Sequence, residues 1–299
     1  MDEETTSADD NQYLVVARRY RPQNFTELVG QDQIAQAIGN AIDKGRVGHA
    51  YLFCGARGVG KTSTARILAK ALNCKEGPTV SPCGQCDSCL GIASGDDVDV
   101  IEIDGASNRG IDEIRQIRVN TNIRPSRSPN KIYIIDEVHM LTTPAFNALL
   151  KTLEEPPSHV KFLLCTTDPE KLPVTVLSRC QRFDFSPVSP EKITDRLRYI
   201  AENEGVTAET EALELLARRA NGSLRDSQSL LEQILAYCGP TLTTAEVHKV
   251  LGTADNRLLT SLMESLFAKE TAALLKTLDQ AVNEGVSPGQ LLEQLLEGF

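Results

Sequence analysis

The sequence predicts an α/β fold in which a mainly parallel sheet is covered by helices on both faces, followed by segments that are helical alone. Three observations carry this. Short apolar runs alternate with helical patterns from residue 49, the strand signal vanishes after about residue 186, and 299 residues with 41% apolar and 24% charged content have the balance of a soluble globular chain. The length points to two or three domains. With 31 basic against 41 acidic residues the net charge is −10, so contact with a polyanion must come from a local patch. The Met-Asp-Glu-Glu start has neither the basic nor the apolar region of a signal peptide, and no apolar run reaches the ~18 residues of a membrane span. A cytoplasmic protein with no membrane partner is expected.

The elements follow in order. Residues 1–12, with five acids and no base in the first ten, read as a disordered tail. His49–Cys54 reads as a buried strand, and residues 61–72 as a helix with Ala65, Leu68, Ala69 and Leu72 on one face. Further strands are expected at Val98–Ile103, Ile132–Ile135, Val160–Cys165 and Arg182–Phe185. Ser189-Pro190 supplies an N-cap and an N1 proline for a helix to about Glu204, with helices following near 208–220, 223–237 and 244–251. A third region starts near Thr253, with helical spacing over 257–268 and 271–283. Ser287-Pro-Gly-Gln290 reads as a capping box for a last helix barely formed before Phe299, hence a truncated third domain.

Gly55-Ala-Arg-Gly-Val-Gly-Lys61-Thr62 matches the phosphate-binding loop and stands between the first strand and its helix. Glycines at 55, 58 and 60, with Val59 between them, let backbone N–H groups wrap a β-phosphate. Lys61 bridges the β- and γ-phosphates, the Thr62 hydroxyl ligates magnesium, and Ser63 follows in the same set. Ile132–Ile135 runs into Asp136-Glu137. Alternation along the strand gives the two acids different tasks, Asp136 for the magnesium shell and Glu137 for the attacking water. ATP hydrolysis, with Mg2+ as cofactor, is the expected chemistry.

Cys74, Cys83, Cys86 and Cys89 have gaps of eight, two and two residues, and Gly84 allows a tight turn between them. Tetrahedral zinc suits this set, with iron-sulfur ligation and disulfide pairing as chemical alternatives. Four protein ligands leave no open position, so the site is expected to be structural. Cys54, Cys165, Cys180 and Cys238 read as packing or incidental thiols.

Arg18-Arg-Tyr-Arg-Pro22, Val29-Gly-Gln31, Asp136-Glu-Val-His-Met-Leu141, Phe146 to Pro157 and Leu177-Ser-Arg-Cys180 together resemble the AAA+ clamp-loader ATPases. More narrowly, they are similar to the gamma/tau subunits of bacterial DNA polymerase III. The resemblance runs from about residue 13 to the end. It implies an AAA+ nucleotide-binding domain over 13–187 with a zinc module at 74–89, a helical lid over 188–252, and a truncated helical collar for oligomerisation over 253–299. It also implies that Thr166 and Thr167 act as sensor 1, Arg225 as sensor 2, and Arg21, Pro22, Val29 and Gly30 as the border of the adenine. Arg179 is implied to be an arginine finger reaching into a neighbour's ATP site. Tyr20 and Gly105 stand where that family often carries Trp and Ala, with no expected effect on the chemistry.

The partners implied are other clamp-loader subunits in a pentameric hetero-oligomeric ring, the sliding clamp and primed DNA. Between Ile114 and Lys131 the five bases Arg115, Arg118, Arg124, Arg127 and Lys131 stand without an acid, either as a DNA-facing patch or as a solvated helix face. Arg109 and Lys151 are the better candidates for phosphate contacts by analogy with clamp loaders. The competing readings are a branch-migration helicase, a nucleotide kinase, and a nucleotide-binding scaffold without turnover, the last opposed by Glu137 and Arg179. A delta-prime-type subunit is disfavoured by the complete phosphate loop. No polymerase catalytic site is visible.

Overall fold

The computed structural model describes residues 14–283 and 285–297. The tail expected over 1–12 lies outside them. Five strands, β1 (Ala50–Gly55), β2 (Val100–Asp104), β3 (Lys131–Asp136), β4 (Val160–Thr166) and β5 (Gln181–Phe185), form one sheet in the order β2-β3-β4-β1-β5. Every pairing is parallel, so each crossover runs over a face of the sheet and both faces are covered. This is why β1, β3 and β4 are apolar on both sides, with Leu52, Phe53, Ile134, Ile135, Leu163 and Leu164 fully buried.

One face packs Tyr51, Phe53, Ile132 and Ile134 against the helices Asp32–Asp43 and Lys61–Asn73, through Ile34, Ile38, Ile67 and Leu68. The other packs Leu52, Tyr133, Ile135 and Phe162 against Ile111–Thr121 and Thr143–Glu154, through Ile114, Phe146 and Leu149. The helix at Asp32–Asp43 precedes the expected alternation; its Ile34, Ile38 and Ile42 recur every four residues and bury one stripe.

Beyond the sheet, helices Pro190–Asn203, Thr210–Arg219, Leu224–Leu235 and Thr244–Leu251 share a core of Ile193, Leu197, Leu213, Leu216, Leu231 and Ile234. Val16, from the short helix Val16–Arg19, inserts into that core, so the segment ahead of the sheet packs onto the helices that follow it. The last helices, Asn256–Phe267, Thr271–Asn283 and Pro288–Glu297, gather around Ala254, Leu262, Ala281 and Leu291.

Three local expectations are corrected. Strand pairing does not end at residue 186: β6 (Thr207–Ala208) pairs in parallel with β7 (Thr241–Leu242), two residues each and too short to leave a periodic signal. Ser189 occupies the N-cap position ahead of Pro190, but its side chain makes no cap bond. The capping box at Ser287 to Gln290 does not close, because the Ser287 N–H that Gln290 would have accepted donates to the Gly252 carbonyl at 3.0 Å; the helix that follows nonetheless runs ten residues. Among the described residues, no helix is long and apolar enough to cross a membrane.

Candidate active site

The sheet order brings the carboxyl ends of β1, β3 and β4 side by side, which is where ligands settle on open parallel sheets. From β1 the chain enters the glycine loop and then the helix that starts at Lys61. Gly58 has φ +76 and approaches the N-cap of another helix so closely that a Cβ would lie 2.0 Å from Ser223 Oγ. The loop is thereby joined to the helix Leu224–Leu235, and the Arg225 N–H points at the Gly58 carbonyl at 3.4 Å.

Above the loop lies a cavity of about 400 Å³. Gly58 to Ser63 form its floor, Arg21, Pro22 and Val29 one wall, Asp136 and Glu137 another, and Leu224, Arg225 and Gln228 the roof. Of the residues singled out from sequence, Gly30, Gly55, Thr166, Thr167 and Arg179 do not line it. Gly30 is packed against Val188, and Gly55 against the Phe185 backbone. Thr166 is fully buried beneath the site, accepting the Asp168 N–H at 3.0 Å, whereas Thr167 reaches it indirectly by donating to Glu137 Oε2 at 3.2 Å.

Thr62 Oγ1 donates to Asp136 Oδ2 at 2.7 Å, so the loop hydroxyl and the strand-end carboxylate meet at one point, an all-oxygen pair suited to Mg2+. Lys61 Nζ is tied back to the carbonyls of Gly55 and Ala56 at 2.8 and 2.7 Å. Burial pulls the Lys61 ammonium below its usual pKa, and Glu137 and then Asp136 partly oppose this. Arg21 is likewise lowered, first by burial and then by Arg66, while its Nε holds Ser63 Oγ at 3.2 Å. Arg18, Arg57, Arg66 and Arg196 also face the cavity, so a chain of net charge −10 concentrates cations here and a polyphosphate would relieve their mutual repulsion. Sequence reasoning missed Arg66, Arg196 and Gln228, which carry no local motif. The expectation for Gly105 needs qualifying: a Cβ there would lie 2.7 Å from the Glu137 carbonyl oxygen.

Arg179 lies elsewhere on its own chain, paired with Glu154 Oε1 at 2.5 Å and donating to the Thr175 carbonyl at 2.6 Å. The basic stretch after Ile114 is not one surface. Arg115 pairs with Asp112, Arg127 with Asp97 at 2.7 Å, and Lys131 is buried on the carbonyls of Asn120 and Ile123. Arg118 and Arg124 remain exposed, as do Arg109 and Lys151.

Away from the cavity, the Sγ atoms of Cys74, Cys83, Cys86 and Cys89 all lie within 4.8 Å of one another, the one such cluster among the described residues. Tetrahedral zinc with Zn–S bonds of about 2.3 Å needs sulfurs about 3.8 Å apart, within the 4.8 Å span of this cluster. Gly84 turns the segment at φ +70, and the N–H groups of Cys83 and Cys86 point at the sulfurs of Cys74 and Cys83 at 3.3 and 3.4 Å. The thiols act on one another: against the effect of burial, backbone N–H groups of Lys75 and Cys89 pull Cys86 down to about 6, while burial and the neighbouring Cys86 and Cys74 raise Cys89. Four convergent sulfurs, two of them facing backbone N–H groups, fit a thiolate-bound metal. Of the other cysteines, Cys54 and Cys165 are buried in the sheet core, and Cys180 and Cys238 are half-buried at core edges.

Three family models match the chain: DNA polymerase III, delta subunit, over residues 30–189; the DNA polymerase III clamp loader subunit ATPase lid domain over 192–240; and DNA polymerase III subunits gamma and tau domain III over 242–299. DNA polymerase III subunit tau of Escherichia coli is 48% identical over 95% of this chain and 44% of its own length. The tau subunit of Bacillus subtilis is 45% identical over 96% and 51%. DNA polymerase III subunit gamma of Buchnera aphidicola is 42% identical over 95% and 79%. The chain thus spans about half the length of the tau relatives. Among solved structures, the RuvB Holliday junction branch migration motor of Thermotoga maritima superposes with a TM-score of 0.59, covering 92% of this chain and 91% of that one at 18% identity. That likeness shows a common fold.

Proposed function

The chain belongs to the gamma/tau subunit family of DNA polymerase III, and from that premise we propose that its cavity binds and hydrolyses ATP to drive loading of a sliding clamp onto primed DNA. The observation that carries the proposal is the meeting of Thr62 and Asp136 at 2.7 Å beside Lys61, where the floor of a cation-lined cavity meets its wall.

Arg21, Pro22 and Val29 border the adenine, whereas Gly30, expected beside them, packs against Val188 instead, and the N–H groups of 58–63 cradle the phosphates. Lys61 leaves the Gly55 and Ala56 carbonyls to span the β- and γ-phosphates. Thr62 and Asp136 would hold Mg2+, whose charge offsets that of the phosphates. Glu137 orients the attacking water and takes its proton, with Thr167 steadying the carboxylate. Arg225 contacts the γ-phosphate from the roof, and through Ser223 and Gly58 the lid senses what the loop holds. Arg179 completes the site of a neighbouring subunit, where its guanidinium stabilises the transferred phosphoryl group. The four cysteines would hold zinc in a closed structural site.

In this reading residues 13–187 are the motor domain, 188–252 the lid and 253–299 belong to a collar that joins subunits into a pentameric ring in the cytoplasm. Exposed Arg109 and Lys151 track the DNA backbone, a contact that weakens with salt. The branch-migration alternative rests on the fold alone. The test is ATP turnover by the full-length subunit, with and without clamp, primed DNA and delta-type partners. Stimulation by all three is expected, and turnover indifferent to them would refute the proposal.

A further inference from the structure

Within Asp136 to Leu141, His139 has no task in the reading above. It lies in the one-turn segment Val138–Met140, two residues past Glu137, with a side chain only 6% exposed. Its Nδ1 is 3.0 Å from Thr166 Oγ1 and 3.4 Å from Glu137 Oε2, and its Nε2 is 3.5 Å from Asp168 Oδ2. The ring thus bridges the end of β4 to the carboxylate at the end of β3.

The protons decide what the bridge does. Thr166 Oγ1 already accepts the Asp168 N–H at 3.0 Å, which leaves it one proton to give and one lone pair. If Thr166 donates to Nδ1, the ring turns a lone pair toward Glu137 and the carboxylate keeps Thr167 as its anchor. If Nδ1 carries the proton, it donates to Thr166 at 3.0 Å and turns its positive edge toward the Glu137 carboxylate at 3.4 Å, which Thr167 holds from the other side. The backbone of Glu137 itself sits at φ +45, ψ +45, a left-handed conformation costly for a residue with a Cβ. Such a conformation persists only where the surroundings over-determine it.

We propose that His139 is a positioning residue that sets the orientation of the Glu137 carboxylate and couples it to Thr166 at the end of β4. The inference rests on Glu137 being the residue that activates water. It is tested in the full-length subunit assembled with its neighbours, comparing His139→Phe, which keeps the ring volume, with His139→Asn, whose amide can stand where Nδ1 stands.

Losing the Nδ1 contacts to Thr166 at 3.0 Å and to the Glu137 carboxylate at 3.4 Å predicts that His139→Phe lowers kcat about tenfold or more. The KM for ATP and the equilibrium affinity for a non-hydrolysable analogue should stay within about threefold, and His139→Asn should recover most of kcat. An unchanged kcat in the Phe variant, an analogue affinity that falls with it, or an Asn variant as impaired as the Phe variant would each overturn the inference. Wild-type turnover beside an unaffected Phe variant removes this inference alone. Absence of wild-type turnover removes the ATPase reading and this inference with it.

Discussion

Replacing Arg179 by alanine separates two roles by magnitude. Within its own chain the guanidinium pairs with Glu154 at 2.5 Å and meets the Thr175 carbonyl, with side-chain exposures of 30% and 49% for the ion pair. A pair this open to water is worth about 0–1 kcal/mol, so the melting temperature should move by no more than about 3 °C. As an arginine finger the same side chain is worth about 10³–10⁵ in turnover, or roughly 4–7 kcal/mol at 1.36 kcal/mol per tenfold. The assay is steady-state ATP hydrolysis by the full-length subunit assembled with its partners, clamp and primed DNA, alongside nucleotide binding by the variant alone. Binding and melting should be nearly unchanged while stimulated turnover collapses. Mixing the variant with a Lys61→Ala subunit should restore part of the turnover, since an intact loop on one protomer then meets an intact Arg179 on the next. A loss no larger than that of Glu154→Ala, or no recovery on mixing, would refute the reasoning.

Gly58→Ala should weaken nucleotide binding about tenfold or more, because the new methyl would lie 2.0 Å from Ser223 Oγ and push the roof off the loop. Gly45→Ala, at φ +62 with nothing within 4 Å, carries the backbone strain without the clash and should leave affinity intact; equal losses would disprove the docking argument. Asp99 is buried and its carboxylate receives the N–H groups of Ser126, Arg127 and Ser128 at 2.6, 2.9 and 2.9 Å. Burial alone would raise its pKa, but these bonds hold it below the usual carboxylate value. Asp99→Asn should therefore cost about 3 kcal/mol near neutral pH. Because the folded-state pKa is the lowered one, that contribution is complete above about pH 4 and fades as pH falls through the lowered value, so melting curves of wild type and variant should converge in acid. A strong chelator should remove about one zinc per chain and expose residues 75–90 to protease while circular dichroism of the sheet persists. Metal analysis finding no zinc in protein purified without chelator would count against that site.

What was legible in the sequence was local in the chain. The glycine loop needs its glycines, lysine and threonine within one turn between a strand and a helix. The two carboxylates need only the end of a strand, and the four cysteines fall within sixteen positions. Each chemistry is satisfied by neighbours, so spacing alone announces it. Strand edges moved by one or two residues, as Ala50–Gly55 against His49–Cys54, because apolar composition says where a strand is buried and not where its last ladder bond falls.

The rest was illegible because it depends on residues that folding brings together. Lys131 reads as one more cation in a basic run, yet it caps the carbonyls of Asn120 and Ile123, and Arg127 is held by Asp97 thirty positions away. A charge run therefore predicts a patch only if no acid returns to it through the sheet. Ser287 lost its capping box the same way, since its N–H found the Gly252 carbonyl first. The cavity itself follows this rule. Its floor is contiguous sequence, but its wall and roof come from residues near 20 and near 225, joined because Val16 completes the core formed by the helices after residue 190. A ligand spanning floor and roof would bind the sheet and the helical core at once.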